Sequence, residues 1–234
     1  IKSTNNYSYP IACDCDYVTI SRVQCYAAGG NGTTGFLTFS DNLHYTIDQC
    51  LIQANRLIAE WRGDNHLVKN SLLVGLQASG SFFGIMLRRS QNLLNNLVVR
   101  PTGLGGTPTG VFGYAYSGGV AKNIGGWGWG STFIVLSGGG GSQPTFTTSM
   151  SDATSVPSGV TGSKTFANQF AATNNTNWHV VTGSDMKDAG TDLSASMSAV
   201  DMFATIRPQG AAWDIGCEEF IGSAVTSLGG LHHI

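Results

Sequence analysis

Apolar and polar residues alternate in short runs along residues 1–136, and clusters of Gly, Asn, Asp and Ser separate the runs, which is the pattern of short β-strands joined by turns. One six-residue motif recurs without gaps: ISRVQC from Ile20, IDQCLI from Ile47, VKNSLL from Val68, LNNLVV from Leu94 and AKNIGG from Ala121. Successive anchors stand 27, 21, 26 and 27 residues apart, the length of one coil of a solenoid. Alternate residues of a strand face opposite sides, so columns read down the repeats stack. The column Ile20, Ile47, Val68, Leu94, Ala121 reads as interior, as do Val23, Cys50, Ser71, Leu97, Ile124 and Cys25, Ile52, Leu73, Val99, Gly126. A step of three keeps both ends inward only across a bend. The column Arg22, Gln49, Asn70, Asn96, Asn123 supplies that bend, because Asn tolerates left-handed backbone and bonds along a stack. Each repeat holds a further apolar run, from GFLTF at Gly35 to TFIVL at Thr132.

The pattern predicts an all-β, right-handed parallel β-helix of about five coils over 1–136. Residues 137–234 open on SGGGGS and lose the period; they predict an irregular, looped segment, with one helical turn near 165–171, that packs on the solenoid and closes it. Some cap is required, since a bare solenoid end exposes unpaired strand edges.

Composition narrows the setting. Hydrophobic residues make up 41% but charged ones only 11%, against roughly 25% charged in an ordinary soluble domain. Ser, Thr, Asn and Gly must solvate such a surface, a balance common in extracellular and virion proteins rich in β-structure. A net charge of −2 leaves no electrostatic footprint for nucleic acid, and no apolar window approaches the ~18 residues of a membrane span. Cys13, Cys15, Cys25, Cys50 and Cys217 form no CxxC, and no His stands at ligand spacing, so neither metal nor cofactor is expected.

The C-terminal region carries DAGTDL (188–193) and then RPQGAAWDIGCEEF (207–220). The pair resembles the C-terminal signature of bacterial and phage right-handed parallel β-helix proteins of the pectate-lyase-like superfamily. The resemblance implies that Asp188, Arg207, Trp213, Asp214 and Gly216 close the solenoid, with Arg207 and Asp188 pairing to Asp214.

Solenoid enzymes that cleave polysaccharides set carboxylates on one face across adjacent coils. Here the outward column Ser21, Asp48, Lys69, Asn95, Lys122 holds one acid beside a lysine, which reads as a surface ion pair. Asp14 and Asp16 share a face near the start, Asp41 and Asp64 read as turn residues, as does Arg62-Gly63-Asp64, and no nucleophile-histidine set emerges, so no catalytic residue is assigned. Two contact features remain. Trp127 and Trp129 in GGWGWG fall on one face if extended, suited to a sugar ring, a subunit interface, or burial under the C-terminal segment. Leu67, Leu93 and Val120 lie in an outward column that grows apolar along the solenoid, an assembly face to be covered by the C-terminal segment or by another chain.

The function expected is that of a non-catalytic structural or surface-binding solenoid on a virion or extracellular surface: a capsid decoration, tail or fibre protein. Its partners would be other protein chains, in a homo-oligomer or a virion lattice, and surface glycans. The alternatives are a polysaccharide-degrading or polysaccharide-binding enzyme of that superfamily and a bacterial surface adhesin.

Overall fold

The repeated runs form parallel rungs of a β-solenoid. The computed structural model describes residues 1–3, 9–13, 15–27, 33–38, 44–60, 65–76, 81–87, 91–105, 107–114, 118–130, 132–137, 144–172, 174 and 177–222. Asp14, Asp41, Arg62, Gly63 and Asp64 fall outside them. Three parallel sheets wrap one interior. The first stacks Val18–Ser21, Tyr45–Asp48, His66–Lys69, Gln91–Leu94, Val120–Lys122 and Thr145–Thr147. The second stacks Lys2–Ser3, Gln24–Ala27, Leu51–Ala54, Leu72–Gly75, Leu97–Val99, Gly125–Trp127, Ser149–Ser151 and Val160–Thr161. The third stacks Ile11–Cys13, Thr34–Thr38, Arg56–Glu60, Ser81–Leu87, Thr107–Tyr114 and Ile134–Ser137. Each six-residue motif is therefore divided by its bend between the first and second sheets. Its five copies bound about four turns rather than five, because a turn runs from one copy to the next. Rungs also continue past residue 136, through Thr145–Thr147 and Ser149–Ser151.

The register departs from the expected one at a single rung. Ile20 pairs with Ile47 and Ile47 with Val68, but Val68 pairs with Leu93, and Leu93 with Ala121. Leu93 is thus an interior residue, 1% exposed, and Leu94 points outward. The bend moves with it: Arg22, Gln49, Asn70, Asn95 and Asn123 all have positive φ, between 46° and 55°, and Asn95 takes the place expected of Asn96. Val98 likewise replaces Val99 in the interior, in line with Ile52 and Leu73. The expected alignment placed Leu94, Leu97 and Val99 at the interior positions of this rung. The solenoid instead accepts Asn96 inside, where its Oδ1 takes the Ser71 N–H (3.0 Å) and its Nδ2 donates to the Val68 carbonyl (2.7 Å). A buried amide so satisfied costs little, and a slip of one residue exchanges every side chain between faces.

Phe36, Ile47, Ile52, Ile58, Leu73, Ile85, Trp129 and Phe133 fill the interior. Room for the Phe133 ring comes from Gly110 and Gly126, where a Cβ would collide with it. The outside of the second sheet is apolar too: Leu51, Leu72 and Leu97 in one column, Val74, Val99 and Trp127 in another. A sheet apolar on both faces must be covered on both. The cover is the C-terminal segment, which lays Phe170, Trp178, Val180, Met186, Met202, Ile215 and Cys217 on it. Beyond residue 161 the described residues of this segment hold one three-residue 3₁₀ turn, Phe166–Asn168, within the stretch where a helical turn was expected, and otherwise run as an irregular strap.

Candidate functional site

The bends seat the strap. Left-handed backbone at each bend turns the chain from the first sheet to the second, and the side chain there meets the strap passing over it. Asn123 imitates a strand partner: its Nδ2 donates to the Thr191 carbonyl (2.8 Å) and its Oδ1 accepts the Thr191 N–H (2.8 Å). The same Nδ2 reaches Asn95 Oδ1 at 2.8 Å. Two rungs nearer the N-terminus than Asn95, Gln49 Nε2 donates to the Asp201 carbonyl (2.7 Å), and between them Asn70 Nδ2 donates to the Val200 carbonyl (3.0 Å). The strap thus descends the row of bends, straddling it. Leu193, Met197 and Trp213 pack beside Leu94 on the first sheet, while Ile215 and Cys217 pack on the second.

Asp188, Arg207, Trp213, Asp214 and Gly216 gather in the strap, with pairings different from those expected. Arg207, buried, gives its Nη1 to Glu219 Oε2 (3.0 Å) and to the Asp214 carbonyl (3.2 Å), and its Nη2 to the Gly216 carbonyl (2.9 Å). Its carboxylate partner is therefore Glu219, and its guanidinium lies over the Trp213 ring. The Asp214 carboxylate accepts the backbone N–H groups of Asp188 and Phe220 (both 2.6 Å), and Asp188 Oδ1 accepts those of Ala211 and Ala212. Burial pushes the Asp214 carboxyl up to about 6, against the pull of those donors. Gly216 donates to the Asn123 carbonyl (2.9 Å) and ties the cluster to the rungs.

Neither tryptophan of GGWGWG is open to a ligand. Gly128 between them has φ +81°, which breaks the strand alternation, and the two rings leave on opposite sides. Trp129 enters the interior and donates its Nε1 to the Val98 carbonyl (2.7 Å). Trp127 lies under the strap against Phe166 and Phe170. The assembly face resolves similarly. Leu93 belongs to the interior, Asn92 takes its place in the outward column, and the half-buried Leu67 and Val120 pack beside Leu94 and the strap.

Among the described residues, one open polar strip lies on the outer side of the first two rungs of the first sheet. At one end Tyr17, 79% exposed, stacks on His44 with ring centroids 4.9 Å apart and planes 2° from parallel. Asp16 Oδ1 fixes that pair, accepting the backbone N–H of His44 (2.8 Å) and of Tyr17 (2.9 Å) and lying 2.9 Å from His44 Nδ1. Thr19 and Thr46 follow on the same side. At the other end a groove of about 280 Å³ is lined by Ser21, Arg22, Asp48, Gln49, Asn70, Ser198 and Val200. Arg22 Nε donates to Gln49 Oε1 (3.0 Å), and Asp48 pairs with Lys69 at 3.3 Å, the ion pair expected from the outward column. Tyr17 escaped the reading of the sequence, and Arg22 entered it only as a bend residue. Arg22 had one available signal, being the only cation in a column otherwise made of amides.

The site's acids do not form a paired set. Asp16 lies beside His44 and Asp48 closes the same strand, so about 13 Å separates them at ~3.3 Å per residue, beyond the roughly 5–9.5 Å of glycosidase carboxylate pairs. Among the described residues no group of three or more His, Cys, Asp or Glu side chains is placed to hold a metal ion, and no helix is long and apolar enough to cross a membrane. No protein-family model, curated protein or solved structure matches the chain.

Proposed function

We propose that the protein is a non-catalytic, surface-binding β-solenoid of the pectate-lyase-like type, a virion component such as a capsid decoration, tail or fibre protein, that meets surface glycans and other protein chains. The observation that carries this reading is the disposition of its faces. The strap occupies the outside of the second sheet, and the polar outer side of the first two rungs stays open on a stiff frame, with each of its acids engaged by a basic partner and the two too far apart to act together. Hydroxyls, an aromatic face and a cation on rigid strands bind without reacting.

The test is incubation with pectins, alginates and capsular polysaccharides, alongside fractionation of intact particles. Retention on at least one glycan without new reducing ends or unsaturated sugars, and co-purification with particles, is the expected result. Glycan cleavage abolished by Asp16→Asn would show an enzyme instead, and absence from particles would remove the virion assignment.

A further inference from the structure

Among the described residues two buried side-chain oxygens lack a hydrogen-bond partner, Asp48 Oδ1 and Asn70 Oδ1. Both residues line the same groove, which Ser198 and Val200 of the strap also border. A buried acceptor left unmet is costly and uncommon in a folded chain, so two at one groove mark a place where donors from outside belong. Neither residue stands at the margin of its sheet. The rungs Tyr45–Asp48 and His66–Lys69, which carry and lead into them, lie between Val18–Ser21 on one side and Gln91–Leu94 on the other.

Asn70 differs from the other amides in the row of bends. Gln49 Oε1 accepts from Arg22 Nε (3.0 Å), Asn95 Oδ1 from Asn123 Nδ2 (2.8 Å) and Asn123 Oδ1 from the Thr191 N–H (2.8 Å). At Asn70, 2% exposed, the strap supplies a carbonyl instead: Nδ2 donates to Val200 (3.0 Å) and Oδ1 is left without a donor. A reversed amide would set oxygen against oxygen, so the Val200 carbonyl fixes its orientation. Asp48 shows the same imbalance, with Oδ2 paired to Lys69 at 3.3 Å and Oδ1 unmet.

The guest that answers this pair must bring donors. Arg22 and Lys69 stand beside the one carboxylate, two cations to one anion, which disfavours a metal ion or an ammonium group. Hydroxyls are the remaining choice: they carry no charge, donate to both oxygens, and accept in return from the hydroxyls of Ser21 and Ser198. The groove's volume of about 280 Å³ falls below the roughly 300–1,000 Å³ of sites for drug-sized ligands, which suits one ring rather than a chain of them.

We propose that the groove seats one sugar ring, two of whose hydroxyls donate to Asp48 Oδ1 and Asn70 Oδ1. The proposal rests on the surface-binding reading above and gives its glycan contact a place and a chemistry. Both oxygens are buried, so the hydroxyls reach them as the strap gives way at exposed Ser198.

NMR titration of the ¹⁵N-labelled chain tests the seat, with the methyl glycosides of glucose, galactose and mannose as probes and calcium chloride as the competing chemistry. The expected result is that at least one glycoside moves the Asn70 side-chain amide and the Ser198 backbone signal, while calcium moves neither. A Kd in the millimolar range is expected of a ligand with roughly a dozen non-hydrogen atoms. Asn70→Gly keeps the left-handed bend and removes the acceptor; it and Asp48→Ala should each weaken binding about tenfold. Ser198→Trp, at an exposed strap position, fills the groove and should abolish binding with an unchanged melting temperature. No movement with any of the glycosides, movement with calcium in their place, or binding that Ser198→Trp and Asp48→Ala both leave unchanged overturns the proposal. Each of those results leaves polysaccharide retention and particle association untouched, while glycan cleavage sinks the non-catalytic reading and leaves the seat standing.

Discussion

Arg207 shows what one side chain holds together in the strap. It meets one carboxylate and two carbonyls without access to water, so Arg207→Met leaves Glu219 charged, buried and short of its partner. That loss is worth about 3–5 kcal/mol, measurable as a fall in the urea midpoint. Titration of the strap gives a second expectation. Burial raises the Asp214 carboxyl to about 6, and hydrogen bonding to Glu218 (2.7 Å) raises His179 above its ordinary value. Both groups bind a proton more readily in the folded state. The stability from Asp214 is complete below about pH 4 and is lost as pH rises through about 6; that from His179 is lost as pH rises through its raised value, above 6.5. The melting temperature should therefore fall between pH 5 and pH 8. Glu218→Gln should flatten the upper part of that fall and leave the part near pH 6.

Among the elements, the bend is where sequence and structure can be compared most closely. Asn123 serves the fold twice, by its left-handed backbone and by the hydrogen bonds of its side-chain amide to Thr191 and Asn95. Asn123→Gly keeps the first role and loses the second, at a cost of about 1–3 kcal/mol, and Asn123→Ala should cost about 1–2 kcal/mol more for a Cβ at positive φ. Thermal or urea denaturation of the pair separates the two contributions. The existence of these bends was legible, because a three-residue step between inward positions demands them. Their register was not legible at one rung: Asn95-Asn96 offers two residues of one type, and the choice depends on whether the interior can satisfy an amide, which Ser71 and the Val68 carbonyl decide from other coils. The same slip put Leu93 on the wrong face. Trp127 lies under the strap, one of the settings the sequence left open for the pair, and Trp129 parts from it for a local reason, since a shared face held only for an extended backbone across Gly128.

For the whole molecule, the repeat period was enough to establish a parallel solenoid, whereas the path of the strap has no period to read. Its anchors are scattered, with Phe170, Met186, Met202 and Ile215 meeting one sheet face from distant parts of the segment. The exposed strip at Tyr17 and Arg22 was hidden for a related reason: it is assembled across rungs and strap, and each residue alone looks like turn material. The strap's direction has its own consequence for synthesis. A ribosome makes the rungs first and their cover last, so the growing chain carries a bare sheet of Leu51, Leu72, Val74, Leu97, Val99 and Trp127 until residues beyond 170 emerge. In that interval the exposed apolar sheet should attract holdase chaperones or the same sheet of a neighbouring chain on the polysome. A stop codon or a protease cut shortly after residue 161 makes the interval permanent, so such a fragment should accumulate in inclusion bodies even though nearly every rung of the solenoid is present in it.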